Sequence, residues 1–257
     1  MADALLYLLS SREVGAPGAG MEVHRPKQPI HGWREFLKEV GIIVLGVLIA
    51  LGAEQAVEWV SWRAKADQAQ TQLHRDATGI LDDMLERLAI QQCQDGRLTL
   101  IRDRLLASGP QWTAMAPFYA SGPPAGSTYA HPMRGWPRTS WTTAVASTVA
   151  MHLPGDQLYD YAHIFAAAER EANDQTTEHE ASSELNVLGS SLTLTPDAKV
   201  AFLRIVEAER ARNRVMAYEA QNTLPYFQAL GMDLDKGRAA AIKDSLAYQT
   251  CVANHLA

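Results

Sequence analysis

The sequence predicts an all-α chain, in which one transmembrane helix continues into a long helix that packs in an antiparallel helical bundle with a long irregular loop rich in Pro, Gly and aromatic residues. Three observations carry this prediction. Val40 to Ala53 reads VGIIVLGVLIALGA and holds no charge. Ser61 to Leu106 contains no proline, and its apolar residues recur every three or four positions, the period of one helix face. No segment alternates apolar and polar residues as a half-buried strand does, and no internal repeat is visible.

The apolar run alone is short for a span, but its borders extend it. Between Glu39 and Glu58 lie 18 residues whose only charge is Glu54. As a helix they rise about 27 Å, close to the thickness of a hydrocarbon core. Trp33 and Phe36 precede them and Trp59 and Trp62 follow, placing aromatic rings near both interfaces. Arg25, Lys27, Arg34 and Lys38 lie before the span and Arg63, Lys65 and Arg75 after it. That small bias predicts a cytoplasmic amino terminus and a periplasmic main domain at a bacterial inner membrane. The rival is a cleavable signal, with Arg34 and Lys38 as its basic region and Leu51-Gly52-Ala53 as the cut site, which predicts a mature terminus at Glu54. Gly46, Ala50, Ala53 and Val57 share a face and form a candidate packing surface for a second helix. Glu54, just inside the outer boundary, is expected to snorkel to the interface.

Three regions follow. Residues 1–32, with GAPGAG from Gly15 to Gly20, are expected to be a disordered or locally helical cytoplasmic tail, and Met21 offers a second start. Residues 33–62 are the anchor and its flanks. Residues 63–257 form a periplasmic all-helical domain with an irregular loop at 108–140. In its first helix Leu73, Ala77, Ile80, Met84, Leu88, Leu98, Ile101 and Leu105 supply the apolar face, and Asp82, Asp83, Glu86 and Arg87 read as a solvated face. Ser108-Gly109-Pro110 stops that helix. Pro117, Pro123, Pro124, Pro132 and Pro137 then exclude regular structure, and Trp112, Phe118, Tyr119, Tyr129 and Trp136 are read as fastening the loop to the helices. Helices resume over Trp141 to His152 and from Gly155 or Asp156 to about Leu188. Thr195 is a good N-cap before Pro196 and Asp197, starting a helix that runs past Pro225 to about Leu230, where Gly231 ends it. A last helix is expected near Lys236 to Asn254.

A net charge of -6 and a pI near 5.7 argue against a nucleic-acid surface. The two cysteines, Cys93 and Cys251, have no CxxC or Cys/His spacing, so zinc is not expected. In an oxidising periplasm the pair favours one disulfide closing a long loop.

The segment WREFLKEVGIIVLGVLIALGAEQAVEWVSWRAKADQAQTQLHRD resembles the opening of a broad group of uncharacterised bacterial proteins. In that group a short basic segment precedes "EV-I-V-GVLIAL" and a charged helix follows. The stretch SWTTAVASTVAMHLPGDQLYDYAHIFAAAE is similar to their mid-domain helices. The resemblance implies an inner-membrane anchor with a helical domain beyond it, no assigned activity, and no functional residues to carry over.

Catalytic, cofactor and metal motifs are not found. Glu178-His179-Glu180, with Asp174 and Glu184 nearby, lacks chelating spacing and reads as a polar helix face. Asp160 and His163 could share a face but have no identified partners, and Ser127, Ser140 and His131 form a hydrolase set only on paper, without a GxSxG turn. Arg204, Arg210, Arg212 and Arg214 near Glu207 and Glu209 read as surface ion pairing. The expected function is a non-enzymatic envelope protein that binds a protein partner or a second copy of itself, with no cofactor. A small-ligand-binding sensor module is the alternative, and an uncharacterised enzyme the second alternative.

Overall fold

The computed structural model describes residues 32–118, 127–243 and 245–253. The predicted tail at 1–32 falls outside these residues except for Gly32, and so does Tyr119. The chain divides into two compact units, Met1–Ala56 and Val57–Ala257.

In the first unit, helix α1 (Trp33–Ala107) begins at Trp33, and every residue through Ala56 is exposed. This part of α1 is long and apolar enough to cross a membrane, and none of its apolar window is buried. A soluble core helix would be covered on at least one face, and this one is not.

The second unit is all-α. Its remaining helices are α2 (Thr139–Ala146), α3 (Gly155–Leu185), α4 (Pro196–Ala229), α5 (Leu234–Lys243) and α6 (Leu246–Ala253). Strands β1 (Gln111–Trp112) and β2 (Leu192–Thr193) add one short antiparallel pair, with Gln111 opposite Thr193. The helix expected from Trp141 to His152 is broken into α2 and a 3-10 turn at Val149–His152, because Thr148 adopts a left-handed conformation (φ 61°) that no helix tolerates. The last predicted helix is likewise two, α5 and α6. Thr195 caps α4 as expected, its Oγ1 accepting from the Ala198 amide at 3.1 Å.

Three long helices form the frame. Contacts from Leu106 to Lys199 and from Gln91 to Asn213 show α4 antiparallel to α1. Those from Arg170 to Glu219 show α4 antiparallel to α3 as well, since Asp174 meets Arg212. By contrast Gln70 meets Gln157 and Arg87 meets Glu178, so α1 and α3 run in the same direction. A parallel pair requires the chain to travel back between them, and the residues between Ser108 and Arg138 make that return. Its described residues meet α1 in descending order: Trp112 under Arg104, Ala116 and Thr128 at Arg97, Ala130 at Gln94, Arg134 at Glu86, and Pro137 beside Gly79.

Beyond β1 the described part of this segment has no regular structure, so its buried backbone groups must find other partners. Helix side chains supply them. Arg97 donates to Thr128 O (2.7 Å) and Ala116 O (2.6 Å), Gln94 to Ala130 O and Ser182 to Tyr129 O. Asn186 Oδ1 accepts from the amides of Thr128 (2.8 Å) and Tyr129 (3.3 Å), and Gln175 both accepts from and donates to the Arg134 backbone. The aromatic fastening is also seen: Trp112, Phe118, Tyr129 and Trp136 are buried, and the Trp112 indole donates to Leu188 O at 2.8 Å. Trp136 holds φ 43°, a costly conformation for a bulky residue, while its indole donates to Gln175.

The carboxyl end returns along α1. α5 crosses close over it, so that a Cβ on Gly237 would lie 2.9 Å from Leu85 Cδ1. α6 then brings Cys251 against Cys93, with the sulfurs at bonding distance and the Cα atoms 5.7 Å apart.

Replacing Asn186 by Ala strips the acceptor from two amides, each costing about 1–3 kcal/mol if left dry. The urea midpoint should fall for Asn186→Ala and recover in Asn186→Asp, which keeps an acceptor oxygen. Equal midpoints for Ala and wild type would show that the descending segment does not depend on helix side chains.

Candidate functional site

The buried faces of the three long helices follow one spacing. On α1 it is Leu73, Ala77, Ile80, Met84, Arg87, the half-buried Gln91, Gln94, Leu98, Ile101 and Leu105, in steps of four and three. On α3 it is Tyr161, Ile164, Ala168, Glu171, Gln175, Glu178, Ser182 and Leu185, and on α4 it is Val206, Glu209, Asn213, Met216, Ala220, Thr223 and Phe227. This is a heptad seam. Its two ends are apolar and form separate cores, one around Ile80, Phe165 and Phe227 and the other around Leu98, Leu185 and Val206. Its middle is polar, and that middle holds the chemistry of the domain.

At the centre, Arg87 and Glu178 make a two-bond fork, Nη1 to Oε1 at 3.0 Å and Nη2 to Oε2 at 2.8 Å, with both side chains almost wholly buried. The Tyr129 hydroxyl donates to Glu178 Oε1 at 3.2 Å, and His131 Nδ1 lies 3.3 Å from Oε2. Burial works against the Glu178 charge, but Arg87, His131 and Tyr129 outweigh it and hold its pKa below the usual carboxylate value. The same environment favours the charged Arg87 and, through burial, lowers the pKa of His131, which therefore prefers its neutral form. Burial dominates the two other acids. Glu171, with neither carboxyl oxygen hydrogen-bonded, is pushed up to about 8, with Arg87 opposing, and Glu209 to about 7, with Arg212 opposing. Both hold a proton more readily than an exposed acid. A second polar knot forms at the adjacent residue of α1: Arg134 bridges both oxygens of buried Glu86, and the Ser245 hydroxyl bonds the same carboxyl.

These placements correct several expectations. Glu86 and Arg87 are not on a solvated face; they are 2% exposed. Glu178 belongs to the core, although His179 and Glu180 beside it are exposed. Glu209 is buried, while Arg210 ties Asp95 and Glu207 as a surface pair would. The heptad steps of Glu171, Gln175 and Glu178 were visible in the sequence; burial of charge was the unexpected part. His163 stacks on Tyr226 with centroids 4.5 Å apart. His131 faces Glu178, whereas the Ser140 backbone amide donates to Asp76 Oδ2 at 3.4 Å and the Ser140 hydroxyl makes no hydrogen bond, so the two do not pair as a nucleophile and base. Among the described residues no group of three or more His, Cys, Asp or Glu could hold a metal ion.

The predicted anchor residues are open. Gly46, Ala50, Ala53 and Glu54 are exposed, Val57 is 71% exposed, and Trp33, Phe36 and Trp59 are likewise exposed. Trp62 is different: it is half-buried and stacks on His152 with centroids 4.3 Å apart. A cleft of about 630 Å³ is lined by Trp136, Arg138, Trp141, Phe165 and Glu169, among others, and by neither Arg87 nor Glu178. No protein-family model matches the chain, and no curated protein or solved structure gives a significant match to it.

Removing one partner of a buried ion pair costs about 3–5 kcal/mol, whereas replacing both by apolar residues can be neutral. Arg87→Met should therefore unfold at much lower urea than wild type, and Arg87→Met with Glu178→Met should regain most of the loss. A double variant as weak as the single one would contradict this reading of the pair.

The raised acids give a pH dependence of definite sign. Glu171 has a folded pKa of about 8 against 4.5 for the free side chain. Its contribution to stability is thus full below about pH 4.5 and is lost as pH rises toward 8. Glu171→Gln, which carries no charge to bury, should match wild type near pH 4.5 and lead it by roughly 5 °C in Tm at pH 8. Parallel Tm curves across that range would place the Glu171 carboxyl in contact with water.

Proposed function

We propose that this chain is a non-enzymatic, single-span bacterial inner-membrane protein, with its amino terminus in the cytoplasm and a periplasmic helical domain that serves protein–protein interaction or assembly. One observation carries the reading: a helix apolar on all sides, from Val40 to Ala53, with no protein covering any of it. Such a surface is stable only inside an apolar phase. α1 is helical through Leu51-Gly52-Ala53, where a signal peptidase would need unwound chain, and this favours a retained anchor over a cleaved leader. The proximity of Cys93 and Cys251 favours an oxidising compartment for the domain. The ionic centre is enclosed, so it supports a scaffold better than a reaction site. Gly46, with no atom near its missing Cβ, together with Ala50, Ala53 and Val57, offers a second helix a close approach. The partner is then a helical membrane protein or another copy of this chain, and the likeness of the opening segment to anchored bacterial proteins agrees with this reading.

Membranes washed with alkaline carbonate should retain the intact chain in the pellet. Crosslinking in those same membranes should trap a discrete adduct. Release into the supernatant would remove the anchor, and retention as monomer alone would remove the assembly role. The cleft beside Trp136 favours a second reading, a small-ligand module acting through a partner, since its volume suits such ligands. A ligand bound only by the native state would raise Tm.

A further inference from the structure

Helix α4 carries a second stripe in the same period as its buried seam. Ala208, Ala211, Val215, Tyr218 and Asn222 follow one another in steps of three and four, and all five are exposed. At about 100° per residue they fall on the face opposite Val206, Glu209, Asn213 and Met216, which are buried in the domain. Alanine on a solvated face is ordinary. Val215 and Tyr218 are not: they are 57% and 67% exposed and lie side by side on that face.

The charges beside the stripe select an occupant. With Ala208, Val215 and Asn222 as a positions and Ala211 and Tyr218 as d positions, Glu207 and Arg214 fall at g and Arg212 and Glu219 at e. In two parallel helices a g residue lies opposite the e residue five positions further along its neighbour. That brings Glu207 to Arg212 of a second copy and Arg214 to its Glu219, and two-fold symmetry repeats both pairs. Every one of these pairs has opposite signs, so the helix complements itself. Arg214 has no ion-pair partner of its own among the described residues, and Glu207 is 50% exposed beside Arg210 and Arg102. Arg212 already meets Glu209 and Asp174, and Glu219 meets Arg170. A guanidinium has five donors and a carboxylate about four acceptor sites, so each can take a second partner. Asn222 completes the pattern, because an Asn at an a position fixes the register of a parallel pair. Arg204, at the preceding d position, meets its own equal at the end of the stripe, where its long side chain turns out to water. An antiparallel copy uses less of this: with Ala208 on Ala211 it pairs only Glu207 with Arg214 and sets Asn222 beside Asp197.

We propose that the outer face of α4 from Ala208 to Asn222 is a self-association surface, on which a second copy of this chain seats the same face in parallel. This rests on the assembly reading above and gives it a contact in the helical domain. Two heptads are few for a free coiled coil, but two copies held in one membrane meet at a raised effective concentration.

In native membranes carrying the full chain, with Cys93 and Cys251 left paired, Ala211→Cys and Tyr218→Cys are oxidised separately with copper phenanthroline. Each should give a dimer that a reducing agent dissolves, forming several-fold faster than with Val187→Cys, an exposed site off the stripe. Adding Arg214→Glu, which sets a like charge against Glu219, should slow both several-fold. Linkage through Ala211→Cys without Tyr218→Cys is the mark of an antiparallel pair and overturns the proposal, as does linkage no faster than at Val187→Cys. Amine crosslinking of the unaltered chain and carbonate extraction of the same membranes report assembly and anchor independently. A carbonate-resistant chain that amine crosslinking traps as an adduct, with neither cysteine linking, overturns this face and leaves the proposed function standing. A chain found only as monomer by every crosslink overturns both.

Discussion

The fork between Arg87 and Glu178 constrains the whole helical domain. Two buried opposite charges are tolerable only when their hydrogen bonds are fully made, and a fork permits one geometry. Sliding α3 by one turn past α1 would leave both charges dry, so the pair selects one register along a seam that apolar residues alone would define loosely. The same carboxylate takes the Tyr129 hydroxyl and faces His131. One acid therefore aligns two helices and the irregular segment between them.

From that register the path of the connector follows. α1 and α3 run in parallel, so the chain must cross the length of the bundle without becoming a fourth full helix, and its prolines ensure that it does not. The cost of burying extended backbone is met by long polar side chains projecting from heptad positions, Gln94 and Gln175 among them. The polar middle of the seam thus solves two problems at once: it fixes register and it hydrogen-bonds connector backbone that lies beyond the short β1–β2 pair. The cysteine pair adds a third tie, closing α6 onto α1 across a separation of 158 residues.

Much of this was legible in the sequence. The apolar run, the helix stop at Ser108, the cap at Thr195 and the fastening aromatics are local signals whose physics is complete within a few residues. The charged residues of the seam were misread because local pattern assigns Arg and Glu to water, and only tertiary pairing reverses that preference. Glu86 and Arg87 are neighbours in sequence yet serve different partners, Arg134 and Glu178, each many residues away. The heptad steps do carry a signal: on all three helices the three-and-four spacing passes through polar residues without changing phase. A solvated face would drift off that stripe, so unbroken phase is the better guide to burial than residue type.

α1 meets opposite demands along its length. From Val40 to Ala53 it is apolar all round and has no cover, whereas beyond Trp62 it is apolar along one stripe and buries an arginine in the middle of it. The two parts need different solvents. The second unit contains its own cores above and below the polar layer, so lipid contributes nothing to the burial that holds it together. The first part has no core at all. Folding of the domain and insertion of the apolar segment are therefore separable events, and a substitution at Arg87 should disturb the first without altering the second, because transfer of the apolar segment into lipid depends on that segment's own side chains.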